Sequence, residues 1–260
     1  MVQVLDDYAI VSPLRQKNNL LKISVVTFGI LMGLLSSSPT TPLFVSIFMS
    51  FSIVYFGKIP LKTYLRILTI PAGFVLTSAV VIAFISGNGS DIFAFNIFGH
   101  TAGINKEGAN MAILVLFRSL GGTSCLFFLA LTTPMIELFA VLKAAKIPDS
   151  FVEISMMMYR YIFVFLDVAM GIKYAQEVRL GYRNFKTSFR SMVMLGANLF
   201  IRSWEQGEKL YLSMNSRCYG GKLIMYDEKR PVKMPELLLT GTYFAIVLTV
   251  FYFTRGMSFI

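Results

Sequence analysis

Ionisable side chains inside apolar surroundings are the first candidates for chemistry in this sequence. Glu153, Arg160 and Asp167 interrupt the apolar stretch 151–172 at seven-residue intervals. Seven residues of α-helix return nearly to the same azimuth, so the three share one stripe. Charge at membrane depth demands a partner or water. The stripe is therefore either a charge relay for an ion pathway, or a set of charges paired with neighbouring helices near the cytoplasmic boundary. The cost of desolvating unpaired charge favours pairing. Two further segments end amphipathic helices on a basic residue, Ala175-Gln176-Glu177-Val178-Arg179-Leu180-Gly181 and Ser213-Met214-Asn215-Ser216-Arg217-Cys218-Tyr219-Gly220-Gly221. Arginine makes planar, two-pronged contacts with carboxylates or carbonyls of a partner. One such segment reads as a solvated face or a contact with anionic lipid. Two in one chain point to protein partners.

The chemistry that is missing narrows the class. No Gly-rich loop runs into Lys-Ser or Lys-Thr, so the chain is not expected to hydrolyse ATP by the P-loop route. The only histidine, His100, lies between Gly99 and Thr101 with no ligand partner near in sequence. It reads as a surface residue, and no metal site is expected. Cys125 and Cys218 are too few for a disulfide framework or a cysteine metal site and read as reduced thiols. Without an assembled nucleophile, base or metal set, the chain is not expected to be an enzyme.

The elements that must position these residues are membrane helices. A 260-residue chain that is 55% hydrophobic, with mean hydropathy +0.66, holds more apolar surface than one soluble core can bury. Runs long enough to cross about 30 Å of hydrocarbon occupy residues 20–35, 42–56, 65–86, 111–131 and 237–254, the second needing help from its flanks. The first run reads as a retained span rather than a cleaved signal, with Arg15 and Lys17 before it and Ser36-Ser37-Ser38-Pro39 after it. The fold class expected is all-α, polytopic, with about five transmembrane helices and long cytoplasmic helices.

Lys and Arg concentrate in cytoplasmic loops. Arg15, Lys17 and Lys22 flank the first span, and Lys58, Lys62 and Arg66 fill the turn after the second. The loop 87–110 carries little positive charge and is expected outside. Residues 132–236 hold most of the 24 Lys and Arg residues, which gives three segments: a membrane domain of four spans over 1–131, a cytoplasmic helical domain over 132–236, and a last span within 237–260. In the middle segment, Thr133 can cap a helix that Pro134 begins and Pro148 ends. A second helix is expected from within 151–172 out through Phe185, placing Ala175, Arg179, Tyr182, Arg183 and Lys186 on one face. A third is expected over about Met192–Arg217, stopped by Gly220 and Gly221. Whether 151–172 crosses the bilayer is open.

Several stretches together resemble a known family. Leu131-Thr132-Thr133-Pro134, Lys146-Ile147-Pro148, Tyr159-Arg160-Tyr161-Ile162-Phe163-Val164, Ser12-Pro13-Leu14 with Lys22, and the two arginine segments are similar to the transmembrane T component of energy-coupling factor transporters, within it the cobalt-type CbiQ group. That component ends two cytoplasmic coupling helices with Ala-Arg-Gly motifs. Here the resemblance maps them onto Ala175, Arg179 and Gly181, and onto Ser216, Arg217 and Gly220. Leu180 is inserted in the first, and Cys218 stands where glycine is usual in the second. The resemblance implies a non-catalytic subunit of the inner, cytoplasmic membrane that works with two cytoplasmic ABC ATPases, which hold the ATP, one arginine docking on each. It also implies a membrane substrate-capture subunit of the cobalt-binding type. No cofactor on this chain and no nucleic-acid partner are implied. A T component for nickel or a vitamin is the near alternative. In a different class, an ion-coupled secondary transporter would use the 153, 160, 167 stripe.

Overall fold

Runs of Leu, Ile, Val and Phe without charge have one solution in a bilayer, the helix, because it satisfies every backbone polar group internally. The computed structural model describes residues 2–85, 91–97, 100–220 and 231–254. Each of the five expected runs is helical. In chain order the helices are α1 (Val2–Val11), α2 (Asn19–Leu35), α3 (Thr40–Phe51, continued by a π turn over Ser52–Phe56), α4 (Leu61–Ile85) and α5 (Lys106–Thr132). They are followed by α6 (Met135–Ala144), α7 (Asp149–Val178), α8 (Phe185–Ser216) and α9 (Met234–Phe253). Leu61–Phe84, Gly108–Thr132 and Met234–Phe253 run 24, 25 and 20 residues and are apolar enough to cross a membrane. At a rise of about 1.5 Å per residue the shortest reaches roughly 30 Å. Asn19–Leu35 and Thr40–Phe56 are shorter apolar helices. The protein is a multi-pass membrane protein.

One described element departs from the all-helical expectation. Within the loop expected over 87–110, β1 (Asp91–Ile97) pairs antiparallel with β2 (His100–Asn105). Ile92, Phe93, Phe95 and Ile97 are strand-forming residues, and the segment is too short for a helix to span anything.

The chain divides into two units, Met1–Leu138 with Lys229–Ile260, and Phe139–Glu228. In the first, α5 is central and touches α1, α2, α3 and α4, while α9 packs on α2 and α3. Val25, Val45, Met49, Ile53, Leu131 and Val247 fill the interior, and Phe74, Leu76, Val81 and Phe84 of α4 stay exposed, a surface that lipid solvates. Two glycines permit close approach: a Cβ on Gly29 would lie 2.7 Å from the Tyr243 hydroxyl, and one on Gly121 2.8 Å from the Pro42 carbonyl.

One group of hydroxyls inside this unit is mutually hydrogen-bonded. Tyr64 donates to Ser124 Oγ at 3.3 Å and bonds Ser50 Oγ at 2.7 Å, and Ser46 and Ser124 hydroxyls meet at 3.2 Å. These bonds tie α3, α4 and α5 together. Tyr64 and Ser124 are fully buried. Tyr64→Phe is expected to lower stability by about 0.5–1.5 kcal/mol, the net worth of such a bond in a membrane interior. Thermal unfolding in detergent, with Tyr64→Phe compared against Ser50→Ala, checks it; an unchanged midpoint in both would count against the network.

Thr133 does not cap α6. Its backbone N–H still donates to Leu129 O and so closes α5, while the first α6 bond is Leu138 N–H to Pro134 O. The turn is one residue tighter than the Thr-Pro pattern suggests.

Candidate functional site: two arginine turns

The second unit is built from the rest of α6, α7 and α8. α7 and α8 form an antiparallel hairpin: Gln176 Nε2 donates to Ser191 O at 2.9 Å near the connecting turn, and Tyr219 Oη donates to Glu153 Oε2 at 2.7 Å at the far end. α7 stops at Val178, short of the Phe185 expected from the shared face of Ala175, Arg179, Tyr182, Arg183 and Lys186, and α8 starts at Phe185, before the expected Met192. The physical reasons are the turn that follows Arg179 and the Asn184–Thr187 capping box that starts α8.

At the end of α7, Arg179 is the C-cap, the Leu180 amide returns to Glu177 O at 3.0 Å, and the Gly181 amide reaches Gln176 O at 2.8 Å. This is a Schellman turn, which requires a left-handed residue just past the cap. That residue is Leu180, at φ 58°. At the end of α8 the pattern repeats: Arg217 is the C-cap, the Cys218 amide bonds Asn215 O at 3.0 Å, and the Tyr219 amide bonds Met214 O at 3.1 Å, with Cys218 at φ 56°. The two residues that depart from the Ala-Arg-Gly pattern therefore occupy the positions where glycine is cheapest. The helix is stopped by Cys218, two residues before Gly220. Gly221 lies outside the described residues.

A side chain in the left-handed region costs about 1 kcal/mol, and Cys218 is exposed, so little burial offsets it. Cys218→Gly is expected to raise stability by about 0.5–1 kcal/mol while leaving the turn in place. Hydrogen exchange of the Cys218 and Tyr219 amides reads this directly, and faster exchange in the variant would contradict it.

Both turns are anchored by side chains. Around the first, Ser191 Oγ donates to Gly181 O at 2.9 Å, and Tyr182 Oη donates to Gln176 Oε1 at 2.8 Å. Tyr182 thus turns back onto α7, and the single face expected for Ala175, Arg179, Tyr182, Arg183 and Lys186 does not form. Asn184 and Thr187 then restart the chain as α8, Asn184 N–H donating to Thr187 Oγ1 at 3.0 Å. At the second turn, Tyr219 grips the buried carboxylate of Glu153. That hydrogen bond, then desolvation and the carboxylate's charge, raises the Tyr219 pKa above its ordinary value near 10. The bond's contribution is complete below that ordinary value and is lost as pH climbs through the raised one.

The 153, 160, 167 stripe is not one buried environment. Glu153 is buried, but Arg160 and Asp167 are exposed, and neither forms an ion pair or hydrogen bond with another described residue. Seven-residue spacing drifts by about 20° per repeat, so Asp167 sits about 40° around α7 from Glu153. Glu153 is held by Tyr219 instead.

Ala175, Arg179, Ser216, Arg217 and Gly220 are exposed. Because the arginines cap opposite ends of the hairpin, they are separated by about the length of α8: 32 residues, roughly 48 Å. Such points cannot serve one small ligand. Between α7 and α8 runs an apolar groove of about 350 Å³ lined by Met157, Met158, Tyr161, Phe165, Gly207 and Leu210. On α8, Phe200, Trp204 and Tyr211 are exposed. Among the described residues no group of three or more His, Cys, Asp or Glu could hold a metal. The His100 side chain lies outside those described.

Comparison with known proteins places the chain. A family model described as CbiQ, cobalt transport protein, matches residues 11–226. An uncharacterized protein of Methanocaldococcus jannaschii is 36% identical over 255 residues, covering 98% of this chain and 95% of that one. A putative fused cobalt transport protein CbiMQ of Methanocorpusculum labreanum is 39% identical over 245 residues, 94% of this chain but 41% of the longer fused protein. The cobalt transport protein CbiQ of Salmonella typhimurium is 30% identical over 166 residues, 63% of this chain and 74% of that one.

Proposed function

Because the chain belongs to the CbiQ cobalt transport protein family, we propose that it is the transmembrane coupling subunit of an ATP-driven cobalt importer. The observation that carries this reading is the repeated turn: two exposed arginines, each the C-cap of an identical Schellman turn, at opposite ends of one helical hairpin. Two equivalent contact points roughly 48 Å apart fit two equivalent partners. Arg179 docks on one cytoplasmic ABC ATPase and Arg217 on the other, pairing with acidic or carbonyl-lined grooves. ATP is bound and hydrolysed on those subunits. The chain itself is non-catalytic.

In this mechanism ATP binding draws the ATPases together, the hairpin moves with them, and a membrane substrate-capture subunit reorients to release cobalt inward. The excess of Lys and Arg over 132–236 supports a cytoplasmic position for this segment, in a protein of the inner membrane. One relative is named as a fusion of two cobalt transport parts, which agrees with a separate membrane partner for this chain.

Co-expression of the tagged chain with candidate ATPases and a capture subunit, followed by purification and uptake, tests the reading. Recovery of both ATPases together with ATP-dependent cobalt uptake is the expected result. Gradient-driven uptake without ATPases would overturn it, and preference for nickel over cobalt would change the cargo alone.

A further inference from the structure

The segment from Ser12 to Lys22, which the two arginine turns do not involve, binds three points that the coupling unit depends on. The second unit is one continuous stretch, so the chain leaves the first unit after Leu138 and returns to it at Lys229. The first crossing runs through α6 and the second leads into α9, and each of these helices has a glutamate as its third residue, Glu137 and Glu236. Carboxylates suit helix N-termini, yet these two are only 13% and 10% exposed and therefore need donors.

Both find them in the same eight residues. Arg15 Nε donates to Glu137 Oε1 at 2.9 Å, and Asn19 Nδ2 to Glu137 Oε2 at 2.8 Å. Lys17 Nζ meets Glu236 Oε1 at 3.0 Å, and the Asn18 amide donates to Glu236 Oε2 at 3.4 Å. Each carboxylate has both oxygens engaged. A third grip lies between them in sequence: buried Lys22 donates to the carbonyl of Thr132, the last residue of α5, at 3.1 Å. That bond fixes the carbonyl from which the α5–α6 turn begins.

We propose that residues 15–22 are a latch that holds the first turns of α6 and α9 together within the membrane unit, so that displacement of the coupling helices reaches the membrane bundle instead of being absorbed by movement of α6 and α9. Arg15, Lys17, Glu137 and Glu236 are positioning residues in this role. They contact neither ATPase nor cargo. The inference rests on the coupling reading above. It makes a separate claim, that ATPase binding and ATPase-to-bundle transmission depend on different residues.

The test uses the assembled complex and measures three quantities: ATPase recovered per chain, ATP hydrolysed, and cobalt(II) taken up. Arg15→Glu with Lys17→Glu is expected to retain both ATPases and their hydrolysis while uptake per ATP falls roughly fivefold or more, the scale on which inter-site coupling is altered. Adding Glu137→Arg and Glu236→Lys, which restores both pairs with reversed polarity, is expected to recover most of the uptake. A merely structural role would lower recovery of the folded chain, ATPase binding and uptake together, instead of uptake per ATP alone. Should the reversal lower recovery from membranes, R15Q with K17Q carries the same comparison. Unchanged uptake per ATP, or a loss the swap leaves in place, overturns the latch. A wild-type chain that recruits no ATPase overturns the coupling reading, and the transmitting role falls with it.

Discussion

Replacing Arg179 and Arg217 together with glutamate is expected to abolish recovery of the proposed ATPase subunits while leaving the chain folded in the membrane. Reversing a charge that meets an acidic or carbonyl-lined groove removes a charge-assisted bond and adds repulsion, on the order of 2–5 kcal/mol per site. The sites are roughly 48 Å apart, so their contributions add. A single Arg217→Glu leaves one partner bound and lowers recovery of the other. Folding survives because both side chains are exposed and make no ion pair with another described residue. The loss of positive charge at a helix C-terminus costs only about 0.3–1 kcal/mol. Pull-down stoichiometry, together with the membrane-inserted fraction of the same variant, reads both halves of the prediction. Full ATPase assembly on the double variant would sink the docking role of these residues.

What the sequence made legible, and what it hid, follows from the range of the interactions involved. The five apolar helices were readable because bilayer insertion is decided within each run, by length and composition alone. The arginines were readable because their neighbours form a local pattern. Helix ends are less legible: the spacing of Ala175, Arg179, Tyr182, Arg183 and Lys186 suits a helix through Phe185, while Leu180 in a left-handed conformation ends α7 at Val178. Asn184 and Thr187 supplied a capping signal three residues apart that could have placed the start of α8. The partner of Glu153 could not be found that way. Tyr219 lies 66 residues along the chain, so the charge stripe was built from spacing within one helix when its buried member is held by another. Leu180 and Cys218 depart from the Ala-Arg-Gly pattern. Both were residues where glycine would be usual, and the turn forms regardless, because two backbone hydrogen bonds at each end outweigh about 1 kcal/mol of left-handed strain.

Gly181→Ala is expected to damage the first turn far more than its single methyl suggests. A Cβ there would lie 2.6 Å from Ser191 Oγ and 2.9 Å from Gln176 O. The hydroxyl can rotate away, but the carbonyl is the acceptor of the Gly181 amide that closes the turn. Relief therefore requires backbone movement, at a cost of about 1–3 kcal/mol. The same movement loosens the Ser191 bond to Gly181 O and frees Arg179 from its fixed direction. An arginine that must be ordered on binding loses about 0.5–1.5 kcal/mol of docking energy, roughly a two- to twelvefold weakening at one ATPase site. Arg217, at the other end of the hairpin, keeps its affinity, so the variant should pull down the two ATPases unequally. Ser191→Ala in the Gly181→Ala background separates the two clashes. It removes the hydroxyl and leaves the carbonyl, so only part of the lost thermal stability should return. Full recovery would assign the damage to Ser191 and show that the glycine serves the α7–α8 contact rather than the turn carrying Arg179.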